Sequence, residues 1–74
     1  MKNVVSIDVG NYYNKPAKDK LVEELKKGNA VSIYVNCSGH QRAEMVESHF
    51  VSELKKEVDL KEGRGNFGSK VYYI

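Results

Sequence analysis

The sequence predicts a small α+β domain in the order β-α-β-α-β-β, with both helices on one face of a small sheet and the other face open. Residues 31–37, Val-Ser-Ile-Tyr-Val-Asn-Cys, alternate apolar and polar side chains without a break, and residues 5–9 repeat the pattern. Successive side chains of a strand point to opposite faces, so this alternation indicates a sheet that is buried on one side. A parallel sheet between two helical layers would show continuous apolar runs instead.

The first half of the chain is predicted to form a strand, a helix and a second strand. The first strand covers residues 3–9, and Pro16 suits the first turn of a helix, where its missing N–H removes no hydrogen bond. Gly28-Asn29 is typical of a helix end, and the second strand follows over residues 30–37. The apolar residues at helical spacing that should form the buried stripe are Ala17, Leu21, Val22 and Leu25.

The second half is predicted to form a long helix and a hairpin. The helix covers residues 41–57, and two short strands follow over residues 58–61 and 70–74. Residues 62–69 join them and include Gly63, Gly65 and Gly68, which favour a flexible hairpin tip. The apolar residues of the helix recur at Ala43, Val46, Phe50 and Leu54.

Size and composition indicate one domain, residues 1–74, with a thin core. A chain of this size buries roughly 60% of its unfolded surface, so pairing into a homodimer would help stability. The net charge of +2 is too small to identify a partner by itself. A single cysteine, Cys37, no visible signal peptide and no apolar segment of about 18 residues predict a cytoplasmic protein without contact to a membrane. His40, His49 and Cys37 have no metal-ligand spacing, so neither a metal nor another cofactor is expected.

Three segments resemble one known family in order and spacing. Asn14-Lys15-Pro16 precedes the first helix, Cys37-Ser38-Gly39 joins the second strand to a long helix, and two strands close the chain around a basic, glycine-bearing arm. This arrangement is similar to that of Alba-type nucleic-acid-binding proteins. The resemblance implies both helices on one sheet face, a homodimer, and binding of RNA or DNA along the loops and the hairpin arm.

The chain departs from the pattern of that family at three positions. Three positions after Gly39 the family tends to carry an apolar residue, and two positions further a lysine, where this chain has Arg42 and Glu44. The family also commonly has lysine where Asn14 stands.

The candidate nucleic-acid interface combines the starts of both helices with the hairpin tip. Phosphates require cations and N–H donors, which helix N-termini supply, and an aromatic ring beside glycine and arginine can stack on an unpaired base. The competing interpretation is that the lysines only lie on a solvent-exposed helix face and that residues 63–68 form only a turn. The predicted contact residues are Lys15, Lys18, Lys20, His40, Gln41, Arg42, Arg64 and Phe67.

The open sheet face supports a second hypothesis, a protein-interaction module. Tyr34 and Tyr72 are predicted on this face, where they could stack bases, anchor a partner or take part in ordinary cross-strand packing. Tyrosine is enriched in the cores of interfaces. The alternative function is therefore a regulator or inhibitor of a larger host protein, of the type found in phages and plasmids.

A third hypothesis is a thiol enzyme that uses Cys37 and Arg42. Cysteine at a strand end, a glycine turn and arginine entering a helix resemble the anion-binding loops of rhodaneses and cysteine phosphatases. In phosphatases, however, the arginine stands one residue further along. The alternation of the second strand also places Cys37 on the buried face, as a small hydrophobic residue. We therefore expect a binding protein and not an enzyme.

Overall fold

The structure, a computed structural model, describes residues 3–65 and 69–74. It is an α+β fold with a four-stranded open sheet and two helices, which confirms the predicted class and element order. The elements are β1 (Val4–Gly10), α1 (Lys15–Lys26), β2 (Ala30–Val35), α2 (His40–Glu57), β3 (Lys61–Arg64) and β4 (Lys70–Tyr73).

The strands lie in the order β1-β2-β4-β3. β1 and β2 are parallel, with Val5 opposite Val31, and β4 is antiparallel to both β2 and β3. It follows that β1, β2 and β3 all point the same way. Their carboxyl ends, the starts of both helices and the start of β4 therefore share one edge of the sheet.

One hydrophobic core holds both helices against a single face of the sheet. Ile7 and Val9 of β1 and Val31 and Ile33 of β2 supply its sheet side. These residues alternate with Ser6, Asp8, Ser32 and Tyr34, which occupy the other face, so the predicted one-sided burial is confirmed. The helices supply Leu21, Val22, Leu25, Phe50 and Leu54.

α1 begins where the sequence indicates, because Asn14 caps it. Asn14 Oδ1 accepts a hydrogen bond from the backbone N–H of Ala17 at 2.9 Å, and Pro16 stands in the first turn. Asn14 Nδ2 also donates to the carbonyl oxygen of Val9 at 3.0 Å, which ties the helix start to the end of β1. At the other end Gly28 has a φ of 92°, the left-handed conformation that favours glycine.

The first strand of the hairpin lies three residues later than predicted. Residues 58–60 do not belong to the sheet: the N–H of Val58 donates to the carbonyl oxygen of Leu54 at 2.9 Å, and Val58 and Leu60 pack against the core. β3 is instead the more polar segment Lys61–Arg64. It pairs with β4 in a register that places Gly63 opposite Val71. The apolar residues Val58 and Leu60 therefore extend the core beyond the end of α2 and do not form a strand.

Neither helix in the described part of the chain combines the length and the apolar character needed to cross a membrane.

Candidate functional site

The edge that holds the helix starts, the end of β3 and the start of β4 contains most of the predicted contact residues. Lys15 begins α1, while His40, Gln41 and Arg42 form the first turn of α2. Arg64 ends β3, next to the hairpin tip. We call this set, together with Lys70, the basic edge. Phe67 lies outside the described residues, so its predicted stacking role stays a prediction.

Lys70 was not predicted, and the hairpin register brings it into the basic edge. Arg64 and Lys70 are directly opposite each other across β3 and β4, and both are exposed. Among the described residues neither side chain has a carboxylate within ion-pair distance. Like charges facing each other across a sheet are destabilising, so the pair favours an external anion. In the sequence, Arg64 and Lys70 flank residues 65–69, and this spacing was the signal from which Lys70 could have been predicted.

Arg42 adds a further cation without a carboxylate partner among the described residues. It stands in the first turn of α2, which contains no acidic side chain. Gly39 precedes this helix with a φ of 100° and provides no side-chain cap, so the first N–H groups of α2 retain their positive partial charge.

Two of the other predicted contact residues are paired with carboxylates on their own helix. Lys15 Nζ lies 2.8 Å from Asp19 Oδ2, and this hydrogen bond, followed by that from Lys18, lowers the pKa of Asp19. His40 Nε2 lies 2.9 Å from Glu44 Oε1. Both pairs are exposed and therefore weak, so a phosphate can compete with these carboxylates for the two side chains.

Lys18 is held by carboxylates of both helices, and its predicted contact with nucleic acid stays a prediction. Its side chain is only 12% exposed and reaches Glu57, at the end of α2, as well as Asp19 at 3.3 Å. The hydrogen bond to Glu57, and then that to Asp19, raises the pKa of Lys18. Lys20 lies on the exposed side of α1, five residues beyond Lys15 along the helix.

The open sheet face contains Tyr34 but not Tyr72, so the prediction for Tyr72 was wrong. Tyr72 pairs with Val31 in the β2–β4 ladder and therefore shares the helix-covered face, where it is 3% exposed. Its hydroxyl donates to Glu47 Oε2 at 2.5 Å. Tyr34 is 54% exposed, opposite Asp8 and near the end of β2 that meets the basic edge.

A groove of about 780 Å³ separates α2 from the β3–β4 hairpin. Its floor includes Ile33 and Tyr72. The charged side chains around it are mixed, so it has no net preference for an anion. They are Lys55 and Lys70 on the basic side and Glu44, Glu47 and Glu62 on the acidic side.

Cys37 lies in the loop after β2, half-buried, and not in the strand as predicted. Its Sγ donates to the carbonyl oxygen of Gly39 at 3.9 Å. It lines a shallow depression of about 570 Å³ with Arg42, Asn11, Asn36 and Ser38. None of these five residues is a carboxylate or an imidazole, so the depression offers the thiol no general base.

Comparison with protein-family models, curated proteins and solved structures found no match for this chain.

Proposed function

We propose that the chain is a small nucleic-acid-binding module that holds RNA or DNA mainly through phosphates, acts as a homodimer and works in the cytoplasm. The observation that carries the proposal is the pair of cations Arg64 and Lys70, opposite each other without a carboxylate partner among the described residues. Arg42 and the uncapped start of α2 lie at the same edge of the sheet. Cations and backbone N–H donors together are the groups that bind phosphate oxygens.

Phosphate contacts by Arg42, Arg64, Lys70 and Lys15 would make the affinity dependent on salt. Each phosphate that is neutralised on a duplex contributes about −0.9 to the slope of log K against log salt, so four contacts give a slope of about −3.6. Tyr34, exposed beside this edge, supplies a ring on which an unpaired base can stack. Preference for single strands would follow from that contact.

Fluorescence anisotropy with labelled single-stranded and duplex DNA and RNA oligonucleotides at low salt tests the proposal. The double variant Arg64→Gln/Lys70→Gln should bind more weakly and make the duplex salt slope shallower by about 1.8, the share of two phosphates. The matched control is Lys26→Gln/Lys56→Gln, which removes the same charge from the last turns of α1 and α2, away from the basic edge.

Two results would overturn the proposal. The first is the absence of binding by the wild-type chain at tens of micromolar, a range in which non-specific nucleic-acid binding is measurable. The second is an equal loss of affinity in the edge variant and in the control, which would show that net charge alone attracts the oligonucleotide.

The exposed sheet face favours a second candidate function, binding to a larger host protein. Val4 is 57% exposed and Tyr34 54% exposed, on neighbouring strands of the same face. Val4 lies opposite Ala30 and Tyr34 opposite Asp8, toward opposite ends of this face, and tyrosine is enriched in interface cores. Capture of a partner from native extract that persists after nuclease treatment, and is lost on Tyr34→Ala, would support this function over the first.

A further inference from the structure

The two outer strands of the sheet, β1 and β3, differ in how they are protected against pairing with a further strand. β3, at one edge, has four residues, of which Lys61, Glu62 and Arg64 are charged and exposed. β1, at the other edge, has seven residues, Val-Val-Ser-Ile-Asp-Val-Gly, and its one charged side chain, Asp8, accepts the N–H of Gly10 at 2.9 Å. Charged side chains, proline and short length are the features that keep an edge strand unpaired. β3 has two of them, and β1 has little protection.

On its outer side β1 presents a row of backbone groups that pair with no other strand among residues 3–65 and 69–74. The carbonyl oxygen of Asn3 accepts the N–H of Ala30 at 2.8 Å, and the β1–β2 register continues in step to Asp8. Backbone groups of successive strand residues alternate in direction, so the N–H and C=O groups of Val4, Ser6 and Asp8 point away from β2. No strand in the described part of the chain lies on that side.

We propose that β1 pairs antiparallel with β1 of a second copy of this chain, about a two-fold axis at Ser6, so that two four-stranded sheets become one of eight strands. In this register Ser6 faces its own equivalent and Val4 faces Asp8 of the partner subunit. On the helix-covered side, Val5 faces Ile7 of the partner subunit. No two like charges oppose each other, and each pair of outward N–H and C=O groups finds its complement.

A second copy fits this edge better than an unlimited series of copies because the antiparallel arrangement closes. A two-fold interface uses the same surface on both subunits and leaves only the two charged β3 strands as free edges. Growth of the sheet therefore stops at the dimer. The inference specifies the dimer named in the proposed function, and it does not require nucleic-acid binding.

Sedimentation equilibrium over a range of protein concentrations tests the interface. The wild-type chain should approach twice 8.4 kDa, and Ser6→Lys, which sets two ammonium groups against each other at the axis, should remain at 8.4 kDa. The control Ser52→Lys adds the same charge on the exposed surface of α2 and should still dimerise. A wild-type chain that stays at 8.4 kDa, or a Ser6→Lys variant that still dimerises, would overturn the proposal.

Hydrogen exchange of the wild-type chain gives a readout that does not depend on the folding of a variant. The amide of Ser6 points away from β2, so protection of this amide that grows with protein concentration indicates pairing at β1. Exchange of Ser6 at the rate of an exposed amide under conditions where the dimer forms would place the interface elsewhere.

A disulfide tests the register. Residues directly opposite in a hydrogen-bonded antiparallel pair have Cα atoms about 5.5 Å apart, within the range that a disulfide spans. Ser6→Cys in a Cys37→Ser background should therefore form a covalent dimer on mild oxidation, while Ser52→Cys in the same background should not. A dimer that forms without cross-linking at position 6 would contradict the proposed axis.

Loss of the dimer with retained oligonucleotide binding, or the reverse, separates this inference from the proposed function.

Discussion

Tyr72 joins the sheet to α2 through its hydroxyl group. The side chain is 3% exposed, and its hydroxyl donates to Glu47 Oε2 at 2.5 Å. Burial, and then the hydrogen bond to Glu47, raises the pKa of Tyr72 well above its ordinary value. The phenol therefore acts as a neutral donor that satisfies a half-buried carboxylate beside the core.

Tyr72→Phe should lower the free energy of unfolding by about 1–2 kcal/mol, because Glu47 would lose its donor while the ring volume stays the same. Urea denaturation measures this change. Tyr34→Phe is the matched control, since Tyr34 is exposed, and it should change stability by no more than about 0.5 kcal/mol. Equal effects of the two substitutions would show that the hydrogen bond contributes nothing.

The same hydroxyl predicts how stability depends on alkaline pH. The unfolded chain releases the Tyr72 proton near pH 10, whereas the folded chain keeps it to a higher pH. The stabilisation is therefore complete below about pH 10 and is lost as the pH rises above that value. Between about pH 10 and 12 the wild-type chain should lose stability faster than Tyr72→Phe. Parallel pH profiles would contradict this assignment.

Lys18 connects the two helices through its ammonium group. Its hydrogen bonds to Glu57 and Asp19 hold the start of α1 against the end of α2. Lys18→Gln should therefore lower the thermal midpoint and affect oligonucleotide affinity less than Arg64→Gln does. If Lys18→Gln lost more binding free energy than free energy of unfolding, Lys18 would belong to the binding surface.

Helix α1 depends on the side chain of Asn14 at its start. Asn14 Oδ1 accepts a hydrogen bond from the N–H of Ala17. Its amide donates to the carbonyl oxygens of Val9 and Tyr12. The local structure therefore gives Asn14 a capping role that a lysine could not fill.

Asn14→Ala should destabilise the fold by about 1 kcal/mol, since one helix donor and two loop acceptors lose their partner. Asn14→Asp keeps the acceptor for Ala17 and loses the donor, so its stability should fall between those of the wild-type chain and Asn14→Ala. Asn11→Ala, an exposed change in the same loop, serves as the control. Denaturant midpoints measure all three, and a neutral Asn14→Ala would mean that water replaces the cap.

At the scale of the whole molecule, the concentration dependence of stability connects the fold to its assembly. If folding and pairing at β1 are linked, the thermal midpoint of the wild-type chain should rise with protein concentration, because association stabilises the folded state by mass action. The midpoint of Ser6→Lys should be independent of concentration. Calorimetry at several concentrations measures both, and a constant wild-type midpoint would contradict the linkage.

The sequence by itself determined the element order, the one-sided burial of β1 and β2, and both helix patterns. These features depend on local periodicity and on residues such as Pro16 and Gly28, so nearby side chains are enough to specify them. The same reasoning placed Lys15, Arg42 and Arg64 at turns that share one edge of the sheet.

Only the tertiary structure decided the face on which Tyr72 lies, the position of β3, the ion pair of Lys18 with Glu57, and the placement of Lys70 opposite Arg64. A shift of one residue in strand register moves a side chain to the other face of a sheet. The β4 register is set by pairing with β2, where Tyr72 lies opposite Val31, a residue far earlier in the chain. Pairs between distant elements follow from that register and from the crossing of α1 and α2, neither of which has a local sequence signal.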